Sequence, residues 1–543
     1  MKKRKKIILS SITGALALAL AGGGFWAYKT FVPQETPIDK NATVASNFYQ
    51  AVNKDWLLKA KIPADSPSID SFYTLDEDVK GKLKKDIKNL GEGKESSDIT
   101  GMSEFITFYK AASDYKQREK DGLEPLKPYL KEIEDIKDLN DLANKSASLT
   151  DKGIPIPFGY DVGTNAENTS QKQIQLTPPS ILLPDVSIYK DESSKKQYLT
   201  PMETATQKAL EMLGYSEKNS KRIVKEALEF DEIIAKYSLS NEEMSESKNL
   251  VHPKTAEEIN AYSGSFKLYD VIKGIMGRDL ETINVPNTKY FENYSKVVNQ
   301  DNFSKIKSWM LVQEAMAASN SLTEDYRLNF QSINMAIMGT QKPISKEDTV
   351  YEMSVNLFSD VMSVYYGRKY FGEEAKTDVT GMIDKIKNVY RGRLQQNDWL
   401  TEETRNKAIE KLDKMKVFVG YQEDVDPGTK ELHLDPNKSF FELSEDIAQF
   451  GRRYTIDHFD EPIDKNKWSG SAFDINAYYN PESNSINFPA GILQAPFYDK
   501  NQSTEKNYGG IGVVIGHEIT HAFDSNGADY DENGDMHNWW TKA

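Results

Sequence analysis

Cysteine is absent from this 543-residue sequence. That excludes disulfides, thiolate zinc sites, cysteine nucleophiles and lipid attachment through an N-terminal cysteine. Histidine is nearly absent, with six residues at positions 252, 433, 458, 517, 521 and 537. Positive charge is the scarcer sign: 68 Lys and Arg stand against 83 Asp and Glu, a net charge of −15. Six of the basic residues (Lys2, Lys3, Arg4, Lys5, Lys6 and Lys29) fall near the start, which leaves 62 against 83, a net −21, for the rest. So acidic a body argues against nucleic acid as a partner. Apolar residues are plentiful. With 38% hydrophobic and 11% aromatic residues the chain can build packed cores, and general disorder, collagen and a polytopic membrane protein are excluded. The length allows two to four domains.

Residues 1–30 form an export or anchoring signal. Lys2 to Lys6 precede an almost uninterrupted apolar run from Ile7 to Tyr28, an order that keeps the basic cluster in the cytoplasm and sends the run into the bilayer. Ala17-Leu18-Ala19 and Ala19-Leu20-Ala21 resemble cleavage sites of a removed signal peptide. The run is also long enough for an uncleaved anchor with Trp26 and Tyr28 at the far interface, and the anchor is the favoured alternative. Either way the body is extracytoplasmic, membrane-anchored or secreted.

The body reads as mainly α with small β elements, an α+β chain. Residues 31–45, with Pro33 and Pro37, form a linker. Helical patterning runs from about 75 to 150 and again from 200 to 420, as in Met202 to Met212 and in Thr404 to Met415 with Ala408, Ile409, Leu412 and Met415 on one face. Between them, Phe158 to Val162 and Gln173 to Leu176 alternate like strands and stop at Pro178, Pro179 and Pro184. Beyond 420 glycine, asparagine and aromatics rise, and Ser485-Ile486-Asn487-Phe488 reads as a strand. The expected division is a helical domain over 46–420, a connecting segment over 421–470 and the start of a second domain over 471–543.

Chemistry concentrates in Gly512-Val513-Val514-Ile515-Gly516-His517-Glu518-Ile519-Thr520-His521, which contains H-E-x-x-H. Residues four apart share one face of a helix, so His517 and His521 can address one ion. One zinc ion is the expected cofactor, because zinc suits imidazole nitrogen, keeps one tetrahedral position open, and there acidifies water and polarises a carbonyl. Glu518, beside the first ligand, can take the proton of the attacking water and pass it to the leaving amine. In so histidine-poor a chain the motif has a chance expectation on the order of a per cent or less. Asp524, three residues beyond His521, is placed to orient a ligand imidazole. Asp529 to Asp535 opens like a calcium loop, but its twelfth position is Trp540 where a bidentate Glu is required, so a polar turn is expected. His537 is expected to be structural. Upstream, Asn476-Ala477-Tyr478-Tyr479-Asn480-Pro481 reads as a strand in position to pair with an extended peptide, Asn476 offering its amide.

These segments resemble a known family. N-A-Y-Y-N-P from Asn476, I-N-F-P-A-G-I-L-Q-A-P-F-Y from Ile486, N-Y-G-G-I-G-V-V-I-G-H-E-I-T-H-A-F-D from Asn507 and the terminal W-W-T are similar to the neprilysin-type (M13) zinc endopeptidases. So are Asn47 to Asn53 with Trp56, Leu57, Ile62 and Pro63, then Trp399-Leu400-Thr401, and Lys411-Leu412 through Val419-Gly420-Tyr421. The resemblance implies a large helical lobe that caps the cleft and admits short oligopeptides, and a thermolysin-like zincin lobe. It implies His517 and His521 as zinc ligands, Glu518 as base, and Asn476 and Ala477 as binders of the substrate backbone. The family's third ligand, a Glu on a later helix, has no counterpart in the 22 residues after His521. The expectation is therefore a chain truncated within its zincin lobe, with little or no activity alone. The competing function is a non-catalytic surface protein that captures peptides or proteins.

Overall fold

The computed structural model describes residues 38–541. The signal or anchor read in residues 1–30 lies outside them. Among the described residues no helix is long and apolar enough to cross a membrane.

Helices dominate, as the periodicity requires. Helix Glu217–Tyr237 starts where the Ser216 hydroxyl accepts the Asn219 N–H, and it buries Ile223, Val224, Ala227, Phe230 and Ile234 at helical spacing. It packs on helix Phe303–Ala317, which contributes Trp309, Met310 and Val312. The same contact buries a carboxylate. Asp231 accepts the Leu182 N–H at 2.9 and 3.1 Å, the Trp309 indole N–H at 3.2 Å and the Tyr189 hydroxyl. Burial outweighs those donors and pushes its pKa up to about 7.

Among the described residues two small sheets interrupt the helices, and they include the segments that alternate in sequence. Strands β1 (Gly159–Thr164) and β2 (Lys172–Thr177) pair antiparallel from Gly159↔Thr177 to Thr164↔Lys172. With β3 (Pro253–Lys254) and β4 (Ile283–Asn284) they give the order β1-β2-β4-β3. The second sheet has the order β5-β7-β6. Its centre, β7 (Ser485–Pro489), is buried at all five positions and lies parallel to β5 (Lys416–Gly420). Its edge, β6 (Tyr478–Asn480), is antiparallel to β7.

Three apolar clusters hold the described residues together. The first spans Leu126 to Ile337 with Phe441. The second joins Leu75 to Ala112 with Val350 to Tyr366 and reaches Phe473 and Ala490. The third carries the H-E-x-x-H helix: Ile511, Ile515 and Ile519 meet Ile486 and Phe488 of β7, together with Val379, Met382, Ile383, Leu412 and Met415. Residues 373–420 precede the boundary drawn from composition, yet their apolar faces lie in this third cluster.

The β1–β2 turn ties the first sheet to the end of the chain. The Thr169 N–H and hydroxyl donate to Asp535 Oδ1 at 2.7 and 2.5 Å, and the Met536 N–H donates to the Ala166 carbonyl at 2.6 Å. Asp531 Oδ1 accepts N–H groups of its own loop, from Asn533 at 2.8 Å and Asp535 at 2.9 Å. The segment 529–535 is a turn in which Asp531 and Asp535 accept hydrogen bonds from the protein. The His537 ring stands on it, Nε2 lying 3.6 Å from Asp531 Oδ2.

Candidate metal centre

Helix Ile511–His521 begins at Gly510. Its β-branched residues are poor helix formers, so packing rather than propensity sets the helix. Ile511, Ile515 and Ile519 are fully buried. With that stripe inward, Val513, His517 and Thr520 are exposed on the other side.

His517 and His521 point at each other. Their Nε2 atoms are 3.1 Å apart and the rings meet edge to face. Zinc–nitrogen bonds of about 2.0–2.1 Å would close that separation at an angle of roughly 100°, near tetrahedral. His521 Nδ1 lies 2.7 Å from Asp524 Oδ2. A carboxylate only accepts, so Nδ1 carries the hydrogen and the neutral ring keeps the Nε2 lone pair for a metal. Asp524 is itself clamped: its Oδ1 accepts the N–H of Asn526 at 3.0 Å and of Gly527 at 2.8 Å. Burial disfavours the Asp524 anion, but the His521 ring and the two backbone N–H groups outweigh it and hold the carboxyl below its usual range. The hydrogen bond to Asp524 raises His521; burial, then the neighbouring His521, lowers His517.

Glu518 sits on the shoulder of the helix, 5% exposed. Burial pushes its pKa up to about 7, against the pull of His521 and of a hydrogen bond from the Tyr479 backbone. His517, Glu518 and His521 present ligand atoms within 4.8 Å of one another, the only such metal-binding group among the described residues. The structure therefore brings together all three motif residues and Asp524, and the donor set fits a zinc ion.

Asn476 and Ala477 lie just before the edge strand β6. Asn476 is exposed and its Oδ1 accepts the Ala477 N–H at 2.9 Å, while Ala477 is buried. The edge lies against the metal helix and is braced by the Tyr478 hydroxyl, which donates to Asp474 Oδ2 at 2.7 Å. Sequence reasoning missed Lys411. Its side chain is 1% exposed and donates to the carbonyls of Gly527 and Tyr530, both at 2.6 Å. A signal was present: Lys411 stands on the stripe of Ala408, Leu412 and Met415, where a solvated lysine does not belong.

Two imidazoles converge on one point, one tied down by a carboxylate, with a buried glutamate of the same helix and a strand edge alongside, an arrangement suited to metal-assisted peptide hydrolysis. The particular family follows from the whole chain. Residues 44–422 and 476–543 match peptidase family M13, and the chain belongs to it. The neutral endopeptidase of Lactobacillus helveticus is 36% identical over 504 residues, covering 93% of this chain and 78% of that protein. That of Lactococcus lactis is 34% identical over 502 residues, covering 92% and 79%. The crystal structure of PepO from Lactobacillus rhamnosis superposes with a TM-score of 0.88 at 27% identity, covering 92% of this chain and 79% of that one. The inhibitor complex of the Mycobacterium tuberculosis zinc metalloprotease Zmp1 gives 0.83 at 24% identity over 93% and 77%, a likeness of fold.

Proposed function

We propose that this protein hydrolyses oligopeptides outside the cytoplasm, with zinc on His517 and His521 and with Glu518 as general base. The observation that carries the proposal is the 3.1 Å convergence of the two Nε2 atoms beside a buried carboxylate of the same helix. Zinc, when bound, polarises the scissile carbonyl and acidifies water. Glu518 takes the proton of the attacking water and delivers it to the leaving amine. Asp524 fixes the His521 tautomer. Asn476 and Ala477 guide an extended peptide along the open edge beside β6, where main-chain hydrogen bonds hold it. The helical domain caps this site and limits it to short peptides, and residues 373–420 pack with residues 471–541 into the lobe that carries the metal helix.

The location is supported by Lys2 to Lys6 followed by the apolar run Ile7 to Tyr28, an order that exports or anchors what comes after. Apart from Glu518, which serves as base, the metal-binding group among the described residues offers two imidazoles. These 543 residues by themselves therefore hold zinc weakly and turn peptides over slowly. The test is hydrolysis of an internally quenched oligopeptide with added zinc, by the parent and by Glu518→Gln, alongside peptide binding. Loss of residual turnover with binding retained supports the base. Equal turnover by Glu518→Gln refutes it, and full-rate turnover by the parent with stoichiometric zinc refutes weak metal retention. Peptide capture with no cleavage by a version carrying a complete zinc site points instead to a binding protein.

A further inference from the structure

We propose that Lys411 is a positioning residue for the metal centre, acting through the turn that carries Asp524. The inference rests on the zinc reading of His517 and His521, and goes beyond it to a residue about a hundred positions upstream, on a different helix.

Lys411 belongs to helix Glu402–Lys414, which packs against helix Glu373–Gln395 and is not part of the H-E-x-x-H segment. Its ammonium reaches the segment that follows the metal helix. There it donates to the Gly527 and Tyr530 carbonyls, both at 2.6 Å. The rings of Trp539 and Tyr479 lie 5.8 and 5.9 Å from the nitrogen, which suits a cation. The lysine is held at its own backbone as well: its carbonyl accepts the Asn484 side-chain amide at 2.9 Å.

What Lys411 grips is the turn that serves the ligand. Gly527 presents its carbonyl to Lys411 and its N–H to Asp524 Oδ1 at 2.8 Å; Asp524 Oδ2 then meets His521 Nδ1 at 2.7 Å. A hydrogen-bonded line runs Lys411, Gly527, Asp524, His521. Burying an ammonium is costly unless its donors are used, and both acceptors used here lie on the segment just beyond Asp524. Residues that support a metal-ligating imidazole from behind typically alter metal affinity 10–100-fold when removed.

The experiment measures zinc affinity of the purified chain by competition with a chromophoric chelator, and records the ligand-field spectrum of the Co²⁺-loaded protein. The variants are Lys411→Met, Lys411→Arg, Asp524→Asn, the Lys411→Met/Asp524→Asn double, His521→Ala, and Lys407→Met as a control on the same helix. Folding is checked by circular dichroism. Lys411→Met is expected to weaken zinc at least ~10-fold and change the Co²⁺ spectrum, with Lys411→Arg recovering most of the loss because it keeps its donors. In the Asp524→Asn background Lys411→Met is expected to add less than about twofold, since the two act through one line. Unchanged affinity in Lys411→Met, or losses that multiply in the double variant, would overturn the proposal. Should Lys411→Met not fold, Lys411→Gln, one bond shorter and still a donor, is expected to give a partial loss, and no loss there overturns it equally. Unchanged affinity in His521→Ala would instead bring down the zinc reading itself.

Discussion

Gly527→Ala probes the turn behind the metal with a single methyl. A Cβ built on Gly527 would stand 1.8 Å from the His521 carbonyl oxygen and 2.9 Å from its carbon. Both are backbone atoms at the end of the metal helix, so no side chain can rotate away. Reaching ordinary contact requires the turn and the helix end to part by more than about 1 Å. Three hydrogen bonds depend on that approach: Lys411 to the Gly527 carbonyl, the Gly527 N–H to Asp524, and Asp524 to His521. Overpacking of this kind costs roughly 1–3 kcal/mol of stability. Release of the carboxylate behind His521 should weaken zinc about 10–100-fold. The assay is chelator competition for zinc on Gly527→Ala and on Gly516→Ala, whose added Cβ would meet nothing within 4 Å. Affinity should fall in the first and stay near parental in the second. If Gly527→Ala held zinc as tightly as the parent and melted at the same temperature, the mechanical link from turn to ligand would be refuted.

Other outcomes are fixed by the same coordinates. Asp231 has its pKa raised by burial to about 7, so the fold prefers it protonated. Its contribution is fully present below about pH 4 and is lost as pH rises through 7, a swing of up to about 4 kcal/mol; the thermal midpoint should fall over that window, and Asp231→Asn should flatten the slope. Ile515→Ala, at a fully buried position, should cost about 2–5 kcal/mol in chemical unfolding, and a loss below 1 kcal/mol would contradict the packing. Asp535→Ala removes the acceptor of both Thr169 bonds. It should expose the 529–538 segment to limited proteolysis while leaving the circular dichroism spectrum unchanged, and an unaltered cleavage pattern would count against that tie.

Much of this was legible in the sequence because the signals are local. The H-E-x-x-H spacing, the alternation in 158–162 and 173–176, and the stripe of Thr404 to Met415 each specify geometry within a few residues, and each appears as a helix or strand where expected. Asp524 was legible too, since three residues past His521 is nearly one turn. What stayed hidden depends on distance along the chain. Thr169 and Asp535 are 366 positions apart, and no periodicity brings them together. The stripe of Ala408, Leu412 and Met415 marks Lys411 as out of place on a solvated face, but its partners at 527 and 530 are more than a hundred positions away and only packing shows them. The membership of residues 373–420 in the third cluster was also hidden, because composition changes near 420 while apolar faces are shared across it.

The rotation of the metal helix accounts for the different environments of its three functional groups. At about 100° per residue, Ile511, Ile515 and Ile519 fall within roughly 80° of one another and fix the inward direction. His517 then lies roughly 200° from Ile515 and His521 roughly 240°, both on the open side. Glu518, at roughly 300°, falls on the shoulder where the helix meets β6. Two imidazoles therefore reach a shared point at the surface, while the carboxylate is buried where the helix meets β6. Changing the stripe should disturb all three together: Ile519→Asp, which puts a charge in the third cluster, should weaken zinc and peptide binding in parallel. Val513→Asp on the exposed face, at 64% exposure, should leave the fold intact. Equal zinc affinity in the two variants, measured at a temperature where both are folded, would mean that the isoleucine stripe does not set the register of the site.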